Sequence, residues 1–157
     1  MLKQKKTKVV YMMVTIIAIC IFSCLGNFEK QIFFNRTASM PIGLYVKISK
    51  IRPELNDIII FKLSGKKGYF IKRIVGTEGD DVCIDFENTL WVNGLAVAQK
   101  NTEKYPEEIP YQSICRQLKE DEFLTLGEHQ DSYDSRYFGP ITSANLIAVT
   151  KPLWVTK

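Results

Sequence analysis

Short apolar runs separated by turn-forming residues repeat along most of the chain. These runs are rich in Ile, Val, Tyr and Phe, and the first five are too short for a good helix. We therefore predict strands in segments 43–48, 57–63, 69–75, 81–86, 89–92 and 122–126, with the last strands in 145–155. The body of the protein is expected to be mostly β.

Turn residues support this prediction. Asn93-Gly94 separates "TLWV" from "LAVA" (95–98), and it is a strong hairpin signal because both central residues of a type I′ turn need positive φ. "GKKG" (65–68) predicts a second hairpin loop. The segment 100–120 has two prolines and no clear period, so we expect an irregular excursion there.

One apolar run, residues 9–25, is much longer than the others and contains no charged residue. As a helix it would be about 26 Å long, and extension to Phe28 gives about 30 Å, the thickness of the hydrocarbon core of a bilayer. A cluster of basic residues precedes it: Lys3, Lys5, Lys6 and Lys8. The positive-inside rule then places the N-terminus in the cytoplasm and the rest of the chain outside.

We accordingly predict a cytoplasmic basic head (1–8), a transmembrane signal anchor (9–28) and an extracytoplasmic, β-rich domain (29–157). Two alternatives are a cleaved signal peptide and a lipoprotein signal that ends at Cys24. The first lacks an A-x-A-like cleavage site, and the second would carry Phe22 where a small or aliphatic residue is usual.

Charge and cysteine content narrow the function classes. Without the four N-terminal lysines, 17 basic residues balance 17 acidic ones, which argues against a nucleic-acid partner. Cys83 and Cys115 lie in the exported body, where an oxidising compartment permits a disulfide between them. Their wide separation and the single histidine of the chain, His129, disfavour a metal site.

Ser39, in "TASMPIG" (37–43), is either a turn residue or a nucleophile. A serine hydroxyl needs a neighbouring base to take its proton. His129, with Asp131 or Asp134, could complete a Ser-His-Asp triad, and a buried lysine is the other possible base.

Lys72 is the natural candidate for such a lysine, because it lies in the apolar strand-like run "YFIKRIV". Burial disfavours the ammonium form, and lowering the pKa to about 8 would cost about 3.3 kcal/mol. The ordinary alternative is a lysine that reaches from its strand to solvent, and composition alone favours that alternative.

Four ordered motifs after a single apolar N-terminal segment resemble the conserved boxes of the type I signal peptidases, which are membrane-anchored Ser-Lys proteases (family S26). The motifs are "SMPIG" (39–43), "NDIIIF" (56–61), "KRIVGTEGD" (72–80) and "DSYDSRYFGP" (131–140). The resemblance covers the N-terminal segment and nearly the whole body.

Within this family the chain is most similar to the conjugative-transfer branch, the TraF-type peptidases. The similar features are "TASMPIGLY", a cysteine after the "GD" of the lysine box, a later cysteine followed by basic residues before "EFLTL", "DSRYFGP" and the terminal "PLW". Two positions differ from the family pattern: Glu78 replaces a usual proline, and "GEHQ" (127–130) replaces "GDN".

The resemblance implies a role for each matching residue. Ser39 would be the nucleophile and Lys72 the general base, and the Thr37 hydroxyl and the Ser39 backbone N–H would bind the oxyanion. Ser132 would hold the lysine amine. The remaining matches are an ion pair that supports the floor of the site, Asp134 with Arg136, and two residues of the substrate groove, Met40 and Pro41. A Ser-Lys dyad leaves His129 in a surface loop.

The resemblance also implies a mostly β, signal-peptidase-like barrel or sandwich body on the periplasmic face of the cytoplasmic membrane. The implied activity is that of a serine endopeptidase that cleaves leader segments from exported precursors, such as a conjugative pilin-like subunit, and it needs no metal or nucleotide cofactor. Other conjugative-transfer components are possible partners. Alternatives are a general housekeeping signal peptidase and a non-catalytic scaffold of a secretion complex. The acyl-enzyme could be resolved by water or by an amine that cyclises the pilin.

Overall fold

The computed structural model describes residues 11–23, 31–106 and 115–156. Residues 11–23 form helix α1, and a short helix, α2, spans Ser135–Phe138. The strands are β1 (Ile32–Asn35), β2 (Gly43–Lys47), β3 (Ile58–Phe61), β4 (Phe70–Gly76), β5 (Asp81–Ile84), β6 (Thr89–Val92), β7 (Leu95–Gln99), β8 (Arg116–Gln117), β9 (Glu122–Leu126), β10 (Ile141–Thr142) and β11 (Leu146–Val155). A 3₁₀ turn, Ser143–Asn145, precedes β11.

The chain divides into two compact units, Met1–Phe33 and Phe34–Lys157. In the first unit, every side chain of α1 is exposed. None of the helices within residues 11–23, 31–106 and 115–156 is long and apolar enough to cross a membrane. The predicted head (1–8) and the ends of the predicted anchor (9–28) lie outside the described residues, as do the two predicted domain boundaries.

The predicted mostly β fold is confirmed. Seven strands form one sheet in the order β1-β2-β11-β3-β4-β9-β10, and four form a second in the order β7-β6-β5-β8. Each predicted strand overlaps an observed one. The predicted last strands are the single strand β11, which pairs with β2 along one edge and β3 along the other.

Strand β4 contributes to two hydrophobic clusters because successive side chains of a strand point to opposite faces. Ile74 belongs to a cluster on one face of the large sheet, and Val75 packs against a second cluster that joins β9 to the small sheet. Phe70 lies four residues before Ile74, on the same face of the strand, and also packs against the first cluster. Lys72 lies between Phe70 and Ile74 on this apolar face, which explains its burial.

The predicted Asn93-Gly94 hairpin joins β6 to β7, with φ of 50° and 77° at the two residues. Gly43 is needed for a different reason: its φ is 145°, and a Cβ there would collide with the carbonyl oxygen of Trp154 on β11. Cys83 on β5 and Cys115, just before β8, form a disulfide. The segment 100–120, which was expected to be irregular, contains the short strand β8, and this strand pairs with β5.

Candidate active site

Ser39 lies in a tight turn between β1 and β2, and a backbone hydrogen bond from the loop after β9 holds this turn in place. Its carbonyl oxygen accepts a hydrogen bond of 2.7 Å from the Glu128 backbone N–H, which lies just beyond β9. Its backbone N–H donates no hydrogen bond within the described residues. The main chain therefore holds Ser39 in place and leaves one N–H available.

Asn35, the last residue of β1, stabilises this turn from inside and was not predicted as a site residue. Its side chain is only 5% exposed. The amide nitrogen donates to the carbonyl oxygens of Thr37, Met40 and Pro41 at 2.9, 2.8 and 3.1 Å. The amide oxygen accepts from the backbone N–H of Thr37. The sequence signal for this role is weak: an Asn can accept from the N–H two residues later in many turns.

Lys72 and Ser39 meet although 33 residues separate them, and Lys72 Nζ donates to Ser39 Oγ at 2.7 Å. Strand β4 presents the lysine from beside Ile59 of β3, its register partner. The Lys72 side chain is 2% exposed. The fold therefore brings the two residues predicted as nucleophile and base into direct contact.

Burial lowers the pKa of Lys72 to about 8, because the ammonium loses most of its hydration. Two charges act in opposite directions and more weakly: Asp134 raises this pKa and Arg136 lowers it. At pH 7 about a tenth of the Lys72 amine is then neutral, against about one in 2,500 for a free lysine.

The Thr37 hydroxyl lies 3.1 Å from Ser39 Oγ and 3.2 Å from the Asn35 side-chain oxygen, to which it can donate. It is exposed on the side of the turn that carries the serine hydroxyl. The position fits the predicted pair of oxyanion donors, the Thr37 hydroxyl and the Ser39 N–H.

Ser132 is buried beside the site, and its hydroxyl has no hydrogen-bond partner among the residues that the structure describes. The predicted contact with the Lys72 amine is therefore not formed. Instead, Ser132 packs on Gly127, where a Cβ would collide with the serine side chain. Its role in orienting the lysine stays a prediction.

Asp134 and Arg136 form a buried ion pair with two contacts of 2.8 Å between guanidinium and carboxylate. The second Asp134 oxygen also accepts from the Gly127 backbone N–H at 2.9 Å. Arg136 donates to four further carbonyl oxygens, those of Gln99, His129, Gln130 and Ser132. The pair thus fixes the loop that carries Glu128 and Ser132 around Ser39.

His129 is exposed in this loop, and its Nδ1 accepts from the backbone N–H of Asp131 at 3.1 Å. Within the described part of the chain, its side chain makes no hydrogen bond to Ser39. The geometry accordingly favours Lys72 over a Ser-His-Asp triad.

A cavity of about 680 Å³ contains Ser39 and Lys72 and is lined by Thr37, His129 and Ser132. Met40 and Pro41 do not line it. They line a smaller hollow of about 460 Å³ together with Ala38. Met40 is only 1% exposed, because the turn directs its side chain into the core. Met40 and Pro41, which were predicted to line the substrate groove, therefore lie at the second hollow and not at the cavity that contains Ser39.

The described residues contain no group of three or more His, Cys, Asp or Glu side chains that could hold a metal ion. The groups available for chemistry at the site are the Ser39 hydroxyl, the buried Lys72 amine, the Thr37 hydroxyl and the Ser39 backbone N–H.

Comparison with known proteins shows the family to which the chain belongs. The family described as "Signal peptidase, peptidase S26" matches residues 5–154. The plasmid transfer protein TraF of Escherichia coli is 29% identical over 143 residues, which cover 76% of this chain and 80% of TraF. A probable signal peptidase I-2 of Synechocystis sp. is 31% identical over 102 residues, covering 60% of this chain and 45% of that protein.

A solved signal peptidase I from Enterococcus faecalis V583 aligns with 64% of this chain and 98% of its own, at a TM-score of 0.42 and 23% identity. The family match spans nearly the whole chain, so the predicted resemblance to the S26 peptidases and to TraF is confirmed. The protein therefore belongs to the signal peptidase family S26 and is a serine peptidase of the signal peptidase I type.

Proposed function

We propose that this protein is a membrane-anchored endopeptidase in which Ser39 and Lys72 form the catalytic dyad. It removes leader segments from exported precursors and matures a pilin-like subunit of a conjugative transfer apparatus. The observation that carries the dyad is the 2.7 Å contact between Lys72 Nζ and Ser39 Oγ in a site where the lysine is almost fully buried.

The proposed reaction begins with the neutral Lys72 amine, which takes the Ser39 proton as Oγ attacks the scissile carbonyl carbon. The Thr37 hydroxyl and the Ser39 N–H donate to the resulting oxyanion, and each such donor contributes about 3–4 kcal/mol to lowering the barrier. The Lys72 ammonium then protonates the leaving amine. The acyl-enzyme that remains is hydrolysed by water that Lys72 deprotonates, or is resolved by an amine of the substrate.

The Asp134–Arg136 pair supports this reaction without taking part in bond making. It fixes the loop 127–132 that borders the cavity, and its two charges have opposing effects on the pKa of Lys72. Ser132, which lines the same cavity, would bind the amine when the side chains rearrange around substrate.

Membrane anchoring is supported by the uncharged run at residues 9–25 and by the exposure of apolar side chains on α1, of which Phe22 is 80% exposed. With the basic residues ahead of it, this run would place the catalytic domain on the extracytoplasmic face. Anchoring raises the effective concentration of a membrane-bound precursor at the site.

The pilin-like substrate is supported by the similarity to TraF, a plasmid transfer protein, over most of both chains. A general signal peptidase acting on secretory precursors is the second candidate, supported by the 31% identity to a probable signal peptidase I-2, of which the chain spans 45%.

The proposal is tested by co-expressing the full chain with a conjugative pilin precursor or a secretory precursor and measuring product masses. We expect the pilin precursor to be cleaved, and the mass reports the cleavage position and any ring closure. Cleavage of the secretory precursor alone would favour the second candidate, and cleavage of neither would refute both.

Three variants test the dyad in the same assay. Ser39→Ala and Lys72→Ala should abolish processing, whereas His129→Ala should retain it, because His129 makes no hydrogen bond to Ser39 within the described residues. Processing by both dyad variants, or its loss only in His129→Ala, would show that the dyad is wrong.

A further inference from the structure

The cavity that contains Ser39 carries an excess of positive charge. Four basic residues and one acidic residue line it, namely Arg36, Lys67, Lys72, Lys104 and Asp131. Outside the N-terminal lysines the chain has equal numbers of basic and acidic residues. The cavity therefore differs from the neutral body around it.

Two of these charges neutralise one another. Lys104 Nζ lies 3.5 Å from an Asp131 carboxylate oxygen, and the other oxygen accepts from the Asn101 amide at 2.9 Å. The hydrogen bond from Asn101 and the charge of Lys104 hold the pKa of Asp131 below its usual value. Lys72 contacts Ser39, so Arg36 and Lys67 remain as the cations available to a ligand.

Arg36 and Lys67 have no acidic partner within residues 31–106 and 115–156. The Arg36 guanidinium lies over the Phe34 ring, 5.9 Å from its centroid, which favours a position along the cavity wall. Both side chains are exposed, so a ligand can reach them.

A pair of hydrogen bonds joins the segments that carry the two cations. The Tyr69 hydroxyl donates to the Phe34 carbonyl oxygen at 2.9 Å and accepts from the Phe34 N–H at 3.3 Å. The loop with Lys67 is thereby fixed beside the end of β1, which leads to Arg36 and then to Ser39. The two cations thus lie on chain segments that these hydrogen bonds hold side by side, and both line the cavity.

The neighbouring cavity carries no excess of positive charge. It has a volume of about 590 Å³, shares His129 and Asp131 with the first, and is also lined by Glu103 and Glu128. Its other charged residues are Lys100 and Arg136. Arg136 is paired with Asp134, Glu128 with Arg73 and Asp131 with Lys104, so that Lys100 and Glu103 balance one another. Of these two cavities, the one that contains Ser39 therefore carries the excess of positive charge.

We propose that Arg36 and Lys67 select peptide substrates that carry an Asp or Glu side chain within a few residues of the scissile bond, in the part that occupies the Ser39 cavity. This inference rests on the proposed function, because it assumes that a peptide lies there. An anionic lipid headgroup has similar chemistry, but the peptide is favoured because both cations line the cavity of the proposed nucleophile.

Cations at a cavity rim act through long-range attraction, so the selectivity should be moderate and sensitive to salt. Two exposed charges should give about a 3- to 10-fold preference at low ionic strength. The preference should appear in binding and in KM, with little change in kcat.

The test uses the full chain with Ser39→Ala in a neutral detergent, so that binding is measured without cleavage. The probes are labelled alanine-rich decapeptides with one Glu, placed at each position in turn, and matched peptides with Gln. We expect Glu to bind about 3- to 10-fold more tightly at one or two positions in 50 mM salt, and the ratio to approach one in 500 mM salt.

The preference should disappear when Arg36→Gln and Lys67→Gln are added together. It should persist in the matched control Lys47→Gln with Lys151→Gln, which removes two exposed charges on β2 and β11 that line none of the cavities described above. A preference that survives removal of Arg36 and Lys67 would refute the assignment.

Equal binding of the Glu and Gln peptides, including no measurable binding of either, would overturn the proposal. Binding of the same variants to vesicles of phosphatidylglycerol and phosphatidylcholine tests the alternative that the cations bind a lipid headgroup. If the cations increase binding only to the anionic vesicles, they serve the membrane and the peptide proposal fails. Because the assay needs no cleavage, a Glu preference in a protein that processes no precursor would refute the proposed function and leave only the preference of Arg36 and Lys67 for acidic peptides.

Discussion

The side-chain oxygen of Asn35 accepts hydrogen bonds from both the hydroxyl and the backbone N–H of Thr37, at 3.2 and 3.3 Å. The same hydroxyl lies 3.1 Å from Ser39 Oγ. Asn35 therefore holds Thr37 through its backbone N–H, and its amide nitrogen closes the turn that carries the nucleophile. The Thr37 hydroxyl has one proton, so the proposed oxyanion contact requires this proton to turn away from the Asn35 oxygen.

Asn35→Ala should lower kcat by about 10- to 100-fold, because the turn and the Thr37 hydroxyl would no longer be held in place. It should also lower the free energy of unfolding by about 1–3 kcal/mol, since the buried carbonyl oxygen of Met40 loses its donor. Peptide cleavage kinetics and urea unfolding measure the two effects.

A double-mutant cycle with Thr37→Val separates positioning from general destabilisation. If Asn35 acts through Thr37, the double variant should lose much less kcat than the product of the two single losses. Independent, multiplicative losses would contradict a role through Thr37.

The strand pattern could be predicted because alternation and turn chemistry are local properties of the sequence. The Asn93-Gly94 hairpin is an example, since its positive φ values follow from the residue types alone. Strands β8 and β10 have two residues each and depend on their partners, so they leave no periodic signal.

The site was predictable only in part, because its contacts depend on the tertiary fold and not on local sequence. Ser39 and Lys72 follow from motifs, but their contact depends on how β4 pairs within the sheet. Asn35 acts through carbonyl oxygens whose positions exist only after the turn has formed. Met40 was expected along a groove, and the turn instead directs it into the core.

The pH dependence of cleavage should follow the titration of Lys72. The neutral amine is the proposed base, and burial lowers its pKa to about 8. kcat/KM should therefore rise about tenfold per pH unit below pH 8 and level off above it. Initial rates between pH 6 and 10 with a peptide substrate measure the profile.

Lys72→Arg supplies the control for this profile, because a guanidinium remains protonated throughout the range. It should be inactive at every pH. A wild-type rate that is flat from pH 6 to 8, or activity in Lys72→Arg, would contradict a lysine base.

Lys72→Met should stabilise the protein at pH 7. A lysine whose pKa falls from about 10.4 in the unfolded chain to about 8 in the fold costs about 3.3 kcal/mol below pH 8. The unfolded state binds the additional proton between pH 8 and 10.4, so the stability of the wild type rises with pH in this window. We expect the advantage of the Met variant, about 1–3 kcal/mol at pH 7, to shrink toward pH 10.

Urea unfolding of both proteins at pH 7 and pH 10 measures this difference. Lys47→Met, at an exposed position on β2, is the matched control and should show no comparable change with pH. A Met variant that is less stable than the wild type at pH 7 would indicate that the lysine is charged and paired in the fold.

Gly127→Ala should lower both activity and stability, because Gly127 lies where the nucleophile turn meets the loop after β9. A Cβ at this position would collide with the Ser132 side chain and lie 2.6 Å from the Ser39 carbonyl oxygen. The backbone of Ser39 and the neighbouring N–H of Glu128, now 2.7 Å from that oxygen, would have to separate. Such overpacking typically costs about 1–3 kcal/mol.

Gly65→Ala is the control, because nothing lies within 4 Å of a Cβ at that position and only its φ of 76° opposes the change. It should cost about 1 kcal/mol and leave the rate of cleavage unchanged. Addition of Ser132→Ala to Gly127→Ala removes the collision with the Ser132 hydroxyl oxygen but keeps the one with the Ser132 Cβ, 2.5 Å away, so it should restore only a small part of the stability. Activity should stay low, because the collision with the Ser39 carbonyl oxygen remains, and full recovery of activity would show that the Gly127 contact with the nucleophile turn is unimportant.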